Sequence, residues 1–416
     1  MRRAGVTLLT GAAALLLVGC SSTTTSATPN WEASPTGPAI EGSPGVHVQP
    51  IIPVPSLSDA PNGSPGAGGP GGSGGPSGSG GPSPNPSATD PAVVAKNLKS
   101  PVGLTLLPDG SALVGERTTG RIVRVQPKPD QPVPTVRTLP GLDTSGDGGL
   151  LDLAISPTYD EDNLVYAYIT TATDNRVVDF TLNGPVTPVL TGIPKGRTGN
   201  TGRLAFSADG NLYVGTGDGG TSSRASDPKS LAGKVLRIDV IGQPAHGNPT
   251  PSSPIYTSGH RVVDGLCAVP GTKSVLEVET GGPRRPNKVN VLVSGAYYGW
   301  PTTTRTQRLP ATVVPSSFGA PGGCTVLDNR IWISSLDGTA LVSAPVTGGS
   351  AAPGVGTFTP VLQNKYGRLK TVVAASDGAL WLTTSNRDGH GKPIAADERV
   401  IRYVPSQSDG GGNKVA

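Results

Sequence analysis

The side chains that first invite chemistry are thiols. The chain has three cysteines, and each stands in a different setting. Cys20 closes Leu17-Val18-Gly19-Cys20, after a basic start at Arg2 and Arg3 and an apolar run from Val6 to Val18. A permanent membrane span takes about 20 apolar residues, so this shorter run reads as a secretory signal. A small residue before Cys20 and a Ser/Thr tract after it match the lipobox, in which the thiol is acylated and the cysteine becomes the new N-terminus. The alternative is an ordinary cleaved signal with a chance cysteine. The lipobox reading puts the protein on the outer face of the cell membrane, lipid-anchored at Cys20. Cys267 and Cys324 remain, and an oxidising compartment permits them to pair.

Other chemistry is less pronounced. Asp147-Gly-Gly and Asp218-Gly-Gly begin like calcium loops, but neither continues with the spaced acidic ligands such loops need. Losing Arg2 and Arg3 with the signal takes the formal net charge from +4 to +2. That is too close to neutral to point to nucleic acid as a partner.

The elements that must position any site begin late in the chain. From Pro61 to Ser87 every residue is Pro, Gly or Ser except Asn62, Ala67 and Asn85. Such a tract buries too little apolar surface to offset its chain entropy. Residues 1–20 are therefore read as signal, 21–90 as a disordered linker, 91–407 as the folded domain and 408–416 as a flexible tail. As a coil the linker would reach roughly 45 Å in root-mean-square terms.

Past Pro91 short β-rich runs alternate with turn residues, and no long stretch keeps a helical period. Three runs repeat one pattern of strand, Asp-Gly turn and strand, starting at Val102, Gly202 and Lys370. Weaker copies start at Leu151, Gly265 and Gly323. Six units at roughly 50-residue spacing, each long enough for a four-stranded blade, predict an all-β, six-bladed β-propeller. Val93 to Leu98 is expected to add the outer strand that closes the ring. A β-sandwich is the alternative, but six matched units are too many for it. Cys267 and Cys324 are each third in the inner-strand run of neighbouring units, which brings them close; a bridge needs Cα atoms within about 7 Å.

Several segments resemble the glucose/sorbosone (soluble aldose) dehydrogenase family. They are Gly146-Asp-Gly-Gly-Leu-Leu-Asp152, Gly202-Arg-Leu-Ala-Phe206, Leu212-Tyr-Val-Gly-Thr-Gly-Asp218, Leu231-Ala-Gly-Lys-Val-Leu-Arg-Ile238, Gly259-His-Arg261, Gly282-Pro-Arg284 and, most specifically, Ser294-Gly-Ala-Tyr-Tyr-Gly-Trp-Pro301. Thr170 to Val177 and Thr191 to Lys195 look like a divergent actinobacterial lipoprotein branch of it. The resemblance implies a six-bladed propeller and, in active members, sugar oxidation with pyrroloquinoline quinone (PQQ) and calcium.

Against that pattern the catalytic parts fall short. The family's base is a His in His-x-x-Gly-Arg-Leu, and the matching position here is Gly199. In the loop for calcium and quinone the Gly282 and Pro283 carbonyls still offer oxygen, but the acidic pair has become Asn287 and Lys288. That is the wrong direction of charge for a dication. Arg203, Arg261, Arg368 and Lys370 fall where the resemblance places basic groups near the channel mouth, and are expected to form a compact cationic ring. Asp147 stands at a Gln position, as a substitute base or, beside those cations, a salt-bridge partner. Structural pairing of Arg261 and Arg368 with Asp147, Asp152 or Asp264 is the plainer alternative. His260 reads as a satisfied hydrogen-bonder, and Tyr297, Tyr298 and Trp300 as blade packing, with one of them available to stack on a sugar ring.

Two functions are therefore carried forward. The favoured one is a non-catalytic binding module for a polar or anionic envelope ligand, such as an acidic glycan or phosphorylated component, with no cofactor expected. The other is a PQQ- and calcium-dependent aldose dehydrogenase with a replaced base. Fold resemblance alone does not carry activity.

Overall fold

The computed structural model describes residues 90–282, 284–302, 311–348, 353–406 and 409. The signal, Cys20, the Pro/Gly/Ser tract, Pro283 and residues 410–416 lie outside that set.

The described residues form a six-bladed β-propeller. The first strands of the blades are Pro101–Leu106, Leu150–Ile155, Gly202–Phe206, Val263–Ala268, Pro321–Leu327 and Leu369–Ala374. Each touches the next in sequence, and the last returns to the first. In the first five blades antiparallel strands then follow outward in chain order, four to a blade, with Thr359–Val361 also pairing with Leu341–Thr347 in the fifth; the sixth takes its outermost strand from Val93–Ala95. In the first and sixth blades an aspartate makes the turn after the first strand. Asp109 Oδ1 accepts the Ser111 N–H at 3.0 Å, and Asp377 Oδ1 accepts that of Ala379 at 3.1 Å.

The core follows from the alternation of strand side chains. In Val165–Thr170 all six residues are buried. Val165, Ala167 and Ile169 pack toward the first blade, while Tyr166 and Tyr168 pack toward the third. A strand wedged between neighbours hides both faces, so its sequence reads as a continuous apolar run. Among the described residues there are six hydrophobic clusters, one at each blade-to-blade interface.

Ring closure is antiparallel. Val93–Ala95 pairs with Val400–Tyr403 and becomes the outermost strand of the sixth blade, its three residues buried. At its root Tyr366 Oη donates to Asp90 Oδ2 at 2.9 Å, and Lys365 Nζ lies 3.3 Å from the same oxygen. No helix of the described residues is long and apolar enough to cross a membrane.

A disulfide joins Cys267 and Cys324, with 5.7 Å between Cα atoms, and so staples the inner strands of the fourth and fifth blades. Gly265 lets the strands come that close: a Cβ there would lie 2.8 Å from both Cys324 N and its Sγ.

Candidate functional site

First strands begin and second strands end at the same mouth of the ring, so loops from separate blades converge there. They enclose a cavity of 540 Å³ whose lining includes Arg117, Asp147, Arg203, Lys370, Arg387 and His390. Its size is that of a small-molecule site, typically about 300–1,000 Å³. The lining carries four cations (Arg117, Arg203, Lys370, Arg387) against two carboxylates (Asp147, Asp388).

Carbonyl oxygens hold most of the guanidinium groups. Arg117 Nη1 donates to Gly148 O at 2.9 Å and Gly146 O at 3.3 Å. Arg387 donates from Nε to Asp397 O and from Nη2 to Ile394 O, each at 3.0 Å. Arg203 is buried on the third blade's inner strand and donates to Gly322 O, with Asp152 Oδ1 3.8 Å away. A carbonyl partner orients a cation without cancelling its charge, which leaves a field for an anion.

Deeper in the channel the charges are costly. Burial pushes Lys370 down to about 8, Arg203 adds to the effect, and Asp264 opposes it. Burial pushes Asp152 up to about 6 against the pull of Arg203. Asp264 is likewise raised by burial, although its carboxylate accepts the Thr280 N–H at 2.8 Å.

The structure brings together only part of the expected ring. Arg203 and Lys370 line the cavity. Arg368 reaches it through Asp388 alone, at 2.8 Å, and its other end is held by Asp337 at 2.6 Å. Arg261 lies elsewhere: its guanidinium sits over the Trp300 ring at 5.6 Å and donates to Gly281 O at 3.0 Å. The aromatic face and the carbonyl draw it into the fourth blade's loop. The partners proposed for Arg261 and Arg368 from sequence are replaced accordingly. Sequence reasoning also missed Arg117, Arg387, Asp388 and His390, all in loops after second strands. Burial works against the charge of Asp388, but the His390 N–H and Arg368 outweigh it and hold the carboxyl below its ordinary range.

Asp147 forms no salt bridge among the described residues. Its carboxylate accepts N–H groups from the next blade: Gly199 N at 2.6 Å and Asn200 Nδ2 at 2.6 Å. Gly199 itself has φ +73°, and a Cβ there would lie 2.9 Å from Asp218 Oδ1 and Gly220 N. The local backbone is thus built for glycine, and the matching base has no place to stand.

The fourth-blade loop does not fit calcium. Gly282 O accepts the Arg285 N–H at 2.9 Å. Asn287 bonds Gly281 N and Gly319 O. Lys288 Nζ donates to Tyr298 O at 2.6 Å and lies 3.4 Å from Glu279. An ammonium already occupies the loop's oxygen-rich side. Tyr297 and Tyr298 are buried, and Trp300 donates from Nε1 to Asp218 at 2.9 Å, all three tied into the scaffold.

Comparison with known proteins agrees with this architecture. The family model described as Glucose / Sorbosone dehydrogenase matches residues 98–395. Quinoprotein glucose dehydrogenase B of Acinetobacter calcoaceticus is 31% identical over 254 residues, covering 51% of this chain and 52% of that protein. The aldose sugar dehydrogenase of Escherichia coli is 25% identical over 237 residues, covering 53% and 63%. The chain thus spans little more than half the length of these curated relatives. Among solved structures, PQQ-bound aldose sugar dehydrogenase from Streptomyces coelicolor superposes with a TM-score of 0.68 at 37% identity, covering 74% of this chain and 95% of that one. A glucose dehydrogenase-like oxidoreductase from Thermus thermophilus gives 0.68 at 35%, covering 75% and 98%.

Proposed function

The chain belongs to the glucose/sorbosone dehydrogenase family, and from that premise we propose that its mouth cavity is a binding site of the sugar-dehydrogenase kind, for an anionic quinone such as PQQ together with a sugar. One observation carries the reading: four cations face two carboxylates around 540 Å³. PQQ is a polycarboxylate, and guanidinium groups held by carbonyls suit carboxylates well. Arg117, Arg387 and Lys370 would hold its acidic groups. Bound there, a quinone supplies a hydride acceptor. The chain's own part is to bind, orient and screen from water.

Turnover is a second reading, favoured by a specific observation. Position 199 cannot hold a base, yet His390 and Asp147 line the same cavity. A proton acceptor from either would restore the missing function, although a displaced base typically loses about 10²–10⁴-fold in rate. Calcium has no part in either reading, because Lys288 stands in its loop.

The same proposal includes the envelope setting. The lipobox pattern ending at Cys20, the Pro/Gly/Ser-rich tract after it and the likeness to a lipoprotein branch are the sequence features that support a membrane-anchored protein, with an acidic glycan or phosphorylated envelope component as the further ligand class. The test is titration of purified protein with PQQ by fluorescence quenching, followed by dye reduction with aldoses. Saturable quinone binding supports the site, and dye reduction lost in His390→Ala or Asp147→Asn supports turnover. Absence of binding by PQQ and by acidic sugars overturns the reading.

A further inference from the structure

We propose that His260, Glu277 and Glu279 form a divalent transition-metal site of the zinc class inside the fourth blade. Glu277 and Glu279 alternate on the second strand, Val275–Glu279, and so face the same way. His260 reaches them from the turn that enters the blade. The exposures of the three are 0%, 0% and 2%.

The distances are those of ligands around an ion. His260 Nδ1 lies 3.6 Å from Glu277 Oε1 and 3.6 Å from Glu279 Oε2, and one ligand atom from each of the three residues falls within 4.8 Å of the other two. A separation of 3.6 Å is too long for a hydrogen bond. It is close to the tetrahedral edge of about 3.3–3.6 Å implied by zinc–ligand bonds of about 2.0–2.2 Å. His260 Nδ1 and Glu277 Oε1 have no hydrogen-bond partner, although both are buried.

The opposite atom of each residue is held by a neighbour. His260 Nε2 bonds Thr257 Oγ1 at 2.8 Å. Glu277 Oε2 accepts from Asn290 Nδ2, and Glu279 Oε1 accepts the Arg261 N–H at 2.8 Å. His260 Nδ1 and Glu277 Oε1 thus each offer a free atom with a fixed atom behind it, as metal ligands are oriented, while Glu279 Oε2 is met at 3.4 Å by both Lys288 Nζ and Asn290 Nδ2, contacts that a metal would displace. Two buried carboxylates and Lys288 leave one negative charge in a buried place, to be balanced either by a proton on His260 or by a metal cation. One nitrogen and two oxygens, with a fourth position for water, suit zinc; calcium takes about 6–8 oxygens. Glu279, Lys288 and Asn290 also line a second cavity of 540 Å³, which provides an entry path.

The experiment strips the mature protein with a chelator, equilibrates it with Zn²⁺ near neutral pH, removes free metal and counts zinc by mass spectrometry. About one zinc per chain is expected, falling at least fivefold in Glu277→Gln. The same protein loaded with Co²⁺ should show the visible absorption of a four-coordinate N/O site, a readout that does not depend on a variant folding. Wild type that retains no zinc, or zinc retained equally by Glu277→Gln, overturns the proposal and leaves a proton between the ring and the carboxylates.

Discussion

At the scale of single residues, the site is defined as much by what Gly199 excludes as by what the cations attract. Restoring a histidine there is the obvious repair of the family pattern. The positive φ and the close approach of Asp218 and Gly220 oppose it. Gly199→His should destabilise the protein by about 1–3 kcal/mol and produce no aldose oxidation. Chemical denaturation and dye reduction check both parts, and a stable, active variant would refute the backbone argument. Lys370 gives a pH test. Its folded value, about 8, lies below the ordinary 10.5. Between those values the unfolded chain binds a proton that the folded site refuses, so this residue makes the ligand-free protein less stable there than it is above pH 10.5, and its penalty is largest below the folded value. An anion reverses the preference by favouring the ammonium. Affinity for PQQ should therefore fall about tenfold from pH 7 to pH 9, and Lys370→Met should lose that dependence. Titrations at the two pH values decide the matter.

At the scale of elements, the inner strands were the legible part. Three of their apolar runs end in Asp-Gly turns, and six copies in sequence leave little choice of architecture. The paired cysteines sat on adjacent inner strands, where the structure places the disulfide. Its loop of 57 residues implies about 4 kcal/mol in the chain-entropy model. Urea unfolding with and without reductant should show a loss of about 2–4 kcal/mol; identical midpoints would mean the bond adds nothing. The site was less legible, for a physical reason. Arg117, Arg387 and His390 follow second strands in loops that have no periodicity, and only the ring brings them together. Arg261 misled because its position near a motif says nothing of the Trp300 face that captures its side chain. The paired glutamates of the fourth blade alternate on a buried strand, where sequence alone cannot distinguish an apolar environment from a polar one.

At the scale of the whole molecule, stability depends on a closed circuit of interfaces. Val93, Val94, Ala95 and Leu98 are all buried. Starting the chain at Ser100 in place of Asp90 should remove roughly 5 kcal/mol of burial and lower the melting temperature. Equal melting of the two proteins would show that the ring holds without its outer strand. The anchor is tested at the same scale. Cys20→Ser should move the protein from membranes to the medium in fractionation and immunoblotting, and unchanged retention would reject acylation as the tether.

Among the described residues the closing strand is also the first element in sequence, so under the proposed anchoring it is where mechanical load would enter. Tension applied from the N-terminal side reaches Asp90 before any blade. There the bonds to Tyr366 and Lys365 carry it directly into the sixth blade. Pull therefore acts on the pinned end of a short strand before it can peel that strand from Val400–Tyr403. The latch and the strain relief are built from the same few residues, so a drag on the proposed anchor would be resisted at the seam where the ring would otherwise open.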